Sequence, residues 1–394
     1  MEDTKPSEST KEQSLRAPVI KVLGLGGGGS NAVDRMIELG IPGVEFIAAN
    51  TDYQVLQTSL APMKIQLGPQ LTRGLGAGGD HEVGCRAAKE SRAEIEAALR
   101  GSDMVFLTAG MGGGTGTGAI AIAGEVARSL GAVTIAVVTT PFSFEMGRRQ
   151  KNAQEGLARL QGHTDTLIAI PNDRLLFVAP QDLPLETAFR LADDVLRQAV
   201  QGIAELITQP GLINVDFSHV RNMMKRGGGA LMAIGHGSGE NKVVDAIEQA
   251  LKHPLLESVS LADAQGVIAN FSGGEDLSLY EVGEAVGHIR ELTGGDVDVV
   301  MGLSQDDRMR ERAQVILVVT GLGAKSLAEI LPGAEVIQNK STAAEAIGTE
   351  PEASAGAHIG ESYEAVPASI LNDLDVPAFL RKRARMNAHA LEGG

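Results

Sequence analysis

Short apolar runs and helix-patterned stretches take turns along the first part of the chain. Val19–Leu25 is an apolar run that meets glycines at once, and Asn31–Leu39 carries the spacing of a helix closed by Gly40 and Pro42. Glu45–Ala49 predicts a second strand, ending at Asn50-Thr51-Asp52, and Met104–Ala109 another that runs into the glycines of 110–118. A helix through Leu130 and a strand over Val133–Thr139 follow. This alternation predicts an α/β fold on a doubly wound parallel sheet. Ligands of such sheets bind at the carboxyl ends of the strands, where both glycine-rich segments fall.

The pattern then changes. Leu185, Ala188, Phe189, Ala192, Val195, Leu196, Ala199, Val200, Ile203 and Leu206 recur at helical intervals until Pro210-Gly211, so one long, buried central helix is expected over 185–208. Beyond it, Val243–Leu251 and Leu279–Leu292 pattern as helices, and Gly266–Phe271, Val297–Met301 and Val315–Thr320 as strands, which predicts a smaller α/β domain over 209–322. The plan is therefore a tail over 1–17, an N-terminal domain over 18–184, the central helix and the smaller domain. Residues 323–369 are rich in Ala, Glu, Ser, Thr and Gly, a composition that does not repay the entropy of ordering and predicts a flexible linker. It leads to 370–385, where Leu371, Leu374, Val376, Phe379 and Leu380 stand among acids and before Arg381-Lys382-Arg383. That segment reads either as a short docking peptide or as a plain tail.

Composition narrows the chemistry. With 43% hydrophobic and 21% charged residues in 394, the chain buries a substantial core, and its length predicts two domains plus tails. A net charge of −16 argues against a nucleic-acid backbone or an anionic membrane as the main partner, since both select basic faces. Residues 1–16 lack the apolar run of a signal peptide, and no stretch reaches the roughly 18 apolar residues of a membrane span, so a cytoplasmic protein without direct membrane insertion is expected. The single Cys85 excludes a disulfide framework or a cysteine metal cage and reads as a structural thiol. The histidines lack metal-ligand spacing, so no protein-borne metal site is expected.

Gly24-Leu25-Gly26-Gly27-Gly28-Gly29 satisfies G-x-G-x-x-G between a strand and a helix, which lets backbone N–H groups approach a phosphate. By itself it also fits a tight turn with no ligand. With Asp52 near the place of the acid expected about 20 residues on, it fits a nicotinamide dinucleotide as well. The second loop shifts the balance. Gly112–Gly118 places five glycines around Thr115 and Thr117 at a strand end, a density that no ordinary turn requires and that suits a backbone nest around several phosphate oxygens. The Lys-Ser/Thr of a P-loop is missing from it.

Gly112–Gly118 resembles the signature of the tubulin/FtsZ superfamily. Asn50-Thr51-Asp52, Gly76-Ala77-Gly78 with Glu82-Val83-Gly84, Pro141-Phe142 with Phe144-Glu145, Pro171-Asn172-Asp173, Pro210–Phe217 and Asp375–Leu380 are similar in order and spacing to the FtsZ family of bacterial cell division. The likeness covers about 18–322 plus the terminal peptide. It implies that Gly27, Gly28, Gly29, Ser30 and Asn31, with Gly114, Thr115 and Gly116, cradle the phosphates of GTP. It further implies that Glu145 and Arg149 hold the ribose and neighbouring groups, and that Asn172 and Asp193 read the guanine edge while Phe189 stacks on the base. Asp52 and Gly76–Gly79 would line the γ-phosphate side, where Mg2+ held by phosphate and water oxygens is expected.

In that family hydrolysis needs a second subunit, whose loop after the long helix orients the attacking water. Here the loop is Asn214–Val220 of a C-terminal activation domain. Asn214 and Asp216 match the family pattern Asn-x-Asp-Phe-Ala-Asp, but His219 stands where the second Asp is usual. An imidazole serves as a base or neutral acceptor yet supplies no fixed negative charge. The expectation is a GTPase with Asp216 dominant and a reduced rate. The alternative is a non-hydrolysing or slow paralogue acting as a structural filament component. His81 and Met146 also depart from the family, which usually has Pro and Gly there. A loop on one molecule and a nucleotide on the next predict a head-to-tail homopolymer that does not close. The resemblance implies a cell-division ring at midcell, with membrane-adaptor and division-regulator proteins held through 371–383.

Overall fold

The structure, a computed structural model, describes residues 17–322 apart from positions 146, 178–179, 181, 210, 212, 214, 227, 255, 257–260, 262–263 and 294–296. The N-terminal tail over 1–16, the linker and the terminal docking segment lie outside the described residues.

The chain runs β1 (Ile20–Leu25), α1 (Gly26–Leu39), β2 (Val44–Asn50), α2 (Tyr53–Thr58), β3 (Met63–Gln66) and α3 (Pro69–Thr72), then α4 (His81–Glu90) and α5 (Arg92–Leu99). β4 (Met104–Gly110), α6 (Thr115–Ser129), β5 (Val133–Thr140), α7 (Arg148–Leu160), β6 (Thr166–Pro171) and the single turn α8 (Asn172–Leu175) follow. Helix α9 (Leu185–Thr208) leads to α10 (Phe217–Lys225), β7 (Gly228–Ser238), α11 (Lys242–Leu251), β8 (Gly266–Gly273), α12 (Leu279–Leu292), β9 (Asp298–Gln305) and β10 (Arg312–Leu322).

All ten strands belong to one sheet, in the order β3-β2-β1-β4-β5-β6-β7-β10-β8-β9. The first seven pair in parallel, β10 runs antiparallel to both its neighbours, and β8 and β9 are parallel again. The doubly wound parallel sheet is therefore present, but the C-terminal strands continue it instead of building a separate sheet. The join is narrow: β6 meets β7 over Thr166–Ile168 and Gly228–Ala230 only.

Helices cover both faces, which is why the parallel strands read as continuous apolar runs. Successive side chains point to opposite faces, so Val22, Phe106 and Ile135 pack under α1, α9 and α10 while Leu23, Leu107 and Ala136 pack under α4 to α7. A third apolar cluster joins β7, β8 and β10 to α11 and α12.

Helix α9 presents Ala188, Ala192, Val195, Leu196, Ala199, Val200 and Ile203 to the sheet along its whole length. At Gly202 it comes so close that a Cβ would meet Ile316 Cδ1 at 2.8 Å, and Asn270 Nδ2 donates to the Gly202 carbonyl at 3.1 Å. The same helix thus lies on β5 of the first half and on Ile268, Ile316 and Val318 of the second.

Two helix starts move into the glycine runs. Helix α1 begins at Gly26, not Asn31, and α6 begins at Thr115, inside the second glycine run. Glycine is a poor helix former, and the packing decides against propensity: a Cβ on Gly29 would lie 2.4 Å from the Thr108 carbonyl oxygen.

Candidate nucleotide site

Strands β1 and β4 are adjacent and parallel, and each turns into a helix directly after its last residue or one short loop. Neither α1 nor α6 has a side-chain cap, so the N–H groups of their first turns have no intrachain acceptor of that kind. Helices α2 and α4 nearby are capped by Asp52 and Asp80. Two uncapped N-termini side by side concentrate partial positive charge and aligned donors, a setting for phosphate.

Glycine is required there by contact distance. A Cβ on Gly116 would meet the Leu25 carbonyl oxygen at 2.9 Å and that of Gly110 at 3.2 Å, whereas Gly27 and Gly113 would meet nothing within 4 Å. The first pair of contacts shows α6 pressed against the ends of β1 and β4. The second shows glycines whose backbone faces open space. Side chains hold the loop in place: the Gly112 N–H donates to Thr117 Oγ1 at 2.8 Å, and Thr115 Oγ1 lies 2.6 Å from Thr51 Oγ1.

A cleft of about 330 Å³ opens over these turns. Gly27, Gly28, Asn31, Gly114, Thr115 and Gly116 line one end, Glu145 and Arg149 one side, and Asn172, Phe189 and Asp193 the other end. Gly29 and Ser30 lie beneath the lining, both buried, and Ser30 Oγ has no hydrogen-bond partner. Glu145 accepts the Phe142 N–H at 2.9 Å and contacts Arg149 one helical turn on. Phe189 packs edge-on against Phe142, with ring centroids 5.5 Å apart, and Phe144 stacks on the same Phe142 ring.

The end formed by Asn172 and Asp193 leaves a buried acceptor unserved. Asn172 is buried and its Oδ1 has no partner. Burial pushes the Asp193 carboxyl up to about 7, with Arg35 pulling the other way. An unserved acceptor beside a buried carboxyl calls for a ligand that brings donors, and a guanine edge presents the exocyclic amine and N1–H. The phosphate end offers the backbone donors of two uncapped helix N-termini, so the cleft is polarised along its length in the sense of a guanine nucleotide.

The third group of residues lies elsewhere. Asp216 is the exposed N-cap of α10, accepting the Ser218 N–H at 2.8 Å, a bond that holds its carboxyl below the usual range. His219 is exposed in the first turn of the same helix, its N–H bonded to the Asp216 carbonyl at 2.9 Å. Asn214 lies outside the described residues. Asp193 and the end of α9 at Thr208 are about 22 Å apart at 1.5 Å per residue. Helix α10, which Asp216 caps, reaches the start of β6, where Thr166 Oγ1 donates to the Met224 carbonyl at 2.7 Å, whereas the cleft lies past the carboxyl ends of β5 and β6, so the two sites belong to opposite edges of the sheet.

Sequence reasoning passed over Thr139 and Ala192, which also line the cleft. Thr139 lies near the carboxyl end of a predicted strand, a position that was signal enough. Asn152 of α7, which donates to both the Gly79 and Gly112 carbonyls, was missed because a polar residue on a helix carries no mark of its distant partners. For a divalent cation, no cluster of three His, Cys or acidic side chains suited to a metal exists among the described residues. Phosphate and water oxygens fit such a site better than a protein cage does.

The fold and the cleft together define a nucleotide-binding α/β protein with its site at the strand carboxyl ends. Residues 19–180 match the model of the tubulin/FtsZ family GTPase domain, and residues 228–323 that of the FtsZ family C-terminal domain. A solved FtsZ dimer from M. jannaschii is 45% identical, with a TM-score of 0.75 over 78% of this chain and 89% of that one. CetZ2 from Haloferax volcanii, solved as a GTPgS bound protofilament, shares the fold at 19% identity and a TM-score of 0.68, over 82% of this chain and 99% of that one. The chain belongs to the tubulin/FtsZ family, and it is a GTP-binding GTPase. The nicotinamide dinucleotide reading of the first loop is set aside by these matches. No helix among the described residues is long and apolar enough to cross a membrane.

Proposed function

We propose that this chain assembles head to tail into a GTP-dependent filament in which each nucleotide is hydrolysed at a junction between two copies. The observation that carries the reading is the separation along α9 between Asp193 and Asp216. Because one chain cannot bring Asp216 to its own cleft, a second copy has to present it, and a contact between unlike faces propagates instead of closing. The 45% identical relative is itself an FtsZ dimer.

In this reading the first turns of α1 and α6, through Gly27–Asn31 and Gly114–Gly116, hold the phosphates by their N–H groups. Glu145 and Arg149 hold the ribose side, Phe189 stacks on the base, and Asn172 with Asp193 accepts from guanine. Asp52 and Gly76–Gly79 line the γ-phosphate side, with Mg2+ carried on phosphate and water oxygens to offset their charge. Asp216, ionised by its capping bond, orients and polarises the attacking water. His219 adds a neutral acceptor in place of a second fixed charge, which lowers the rate; a slow structural paralogue is the second reading, and His219 is what favours it. The filament forms the division ring at midcell, with adaptor and regulator proteins docking on 371–383, and 18–184, 185–208 and 209–322 act as GTP-binding domain, core helix and activation domain.

Sedimentation and phosphate release measured in one tube test this. Release per chain is expected to rise from near zero above a threshold concentration, together with pelletable polymer. A rate per chain independent of concentration would mean that a single chain holds the whole site.

A further inference from the structure

Beneath the glycine loops lies a polar clasp. His81, the first residue of α4, is 9% exposed, and its Nδ1 lies 3.1 Å from Oδ1 of Asn152 on α7. Asn152 Nδ2 donates to the Gly79 carbonyl at 2.9 Å and the Gly112 carbonyl at 3.2 Å. Both of these partners are acceptors, so they take the amide's two N–H groups and leave Oδ1 facing His81. Only a protonated Nδ1 can donate to that oxygen. The other ring nitrogen sits 3.1 Å from Glu155 Oε2 and 3.5 Å from Glu82 Oε1 without an aligned hydrogen bond to either.

Gly79 and Gly112 belong to different loops. Gly76, Gly78 and Gly79 all have positive φ, and a Cβ at 78 or 79 would meet nothing within 4 Å. The loop before α6 is close by: a Cβ on Gly114 would lie 2.9 Å from the Asp80 nitrogen. Asn152 therefore adds a tie between Gly79 and the glycine loop, against which the buried Ala77 also packs, and His81 fixes which way the amide points.

We propose that His81 is a positioning residue: through Asn152 it holds Gly76–Gly79 against the loop before α6 and so sets the preference for a nucleoside triphosphate over the diphosphate. The inference rests on the reading of Gly76–Gly79 as the γ-phosphate side. With the clasp released, Gly112 keeps its N–H bond to Thr117 Oγ1 whereas the Gly79 carbonyl loses its Asn152 partner, so the loss falls mainly on the terminal phosphate.

Equilibrium binding of GTP and of GDP to the full chain, below its assembly concentration, tests this with three variants. His81→Asn puts an amide nitrogen where Nδ1 stands and keeps the donor to Asn152. His81→Gln puts it nearer the position of Nε2 and does not, and His81→Ala removes both. The expected result is a loss of about tenfold in GTP affinity for the Gln and Ala variants, the worth of one strong hydrogen bond, with GDP changed less than about twofold and the Asn variant close to the parent. Equal behaviour of Asn and Gln, or equal losses for GTP and GDP, overturns it. If the Ala variant does not fold, the Asn and Gln pair still decides. A parent that binds neither nucleotide overturns the site reading along with the inference, whereas a parent that binds and variants that match it overturn the inference alone.

Discussion

The two ends of α9 are built on opposite principles. At its start, Phe189 and Asp193 close a cleft whose opposite end is largely glycine main chain, and the donors there come from helix turns without a side-chain cap. At its far end, Asp216 spends one carboxylate oxygen on capping α10 and leaves the rest of the group in solvent beside His219. In the proposed reading the first end is shaped to hold the nucleotide and the second carries the acid that helps to cut it. Holding requires fixed geometry, which buried glycines and strand ends supply. Cutting requires a group that arrives, and an exposed, ionised acid on a capped helix is stable while it waits.

Removing the acid should give the largest separation of the two. Asp216→Ala is expected to lower GTP turnover by roughly 10²–10⁴-fold, the usual worth of a positioned acid or base, with GTP affinity unchanged. Turnover and affinity falling together would place Asp216 in the cleft and collapse the distinction. The converse change is Gly116→Ala, whose Cβ presses on two carbonyl oxygens. It should weaken GTP binding by about 1–3 kcal/mol, the range for overpacking, as read by calorimetry, with the folded state retained.

Asp193 sharpens the comparison from the base end. Burial lets its carboxyl hold a proton up to about 7, and guanine donors favour the ionised form, so binding has to expel that proton below this pH. GTP affinity is then expected to fall by up to tenfold per pH unit as pH drops below about 7, and to be flat over that range in Asp193→Asn, which also loses about 1.5–3 kcal/mol. Stability of the nucleotide-free protein runs the other way. The native state binds the proton more tightly than the unfolded chain, so Asp193 makes its full contribution at low pH and loses it as pH rises through about 7. Thermal unfolding with and without GTP across pH 5–8 reads both signs.

The smallest expected effect is at His219. Restoring a carboxylate with His219→Asp should raise phosphate release a few-fold at unchanged polymer mass. No increase would leave the imidazole as a bystander on the surface of α10.

Much of the holding end was readable from sequence, and for a physical reason. Strand ends and glycine density are local marks, and α9 declares itself through ten apolar residues at helical spacing, whereas the acid at 193 stood out only through the family resemblance. What long-range packing decides leaves no such mark. Glycines at 26–29 read as loop but fold as helix, because the approach of Thr108 and Gly116 outweighs their low propensity. The continuity of the sheet depends on a short pairing of β6 with β7 between residues about 60 apart, and the smaller domain therefore read as a separate body. His81 was noticed only as a departure from its family. Its meaning lies in Asn152, which no pattern connects to it.

The length of α9 also has an arithmetic. If each nucleotide needs the acid of the next copy, a lone chain carries a complete binding site and no complete reaction. A pair of chains carries two nucleotides and only one that can be cut. However long the row becomes, one terminal nucleotide always lacks its acid, and it sits at the end where an incoming copy would be added. Growth and hydrolysis are then counted by the same event, since each arrival supplies the group that dates the nucleotide beneath it.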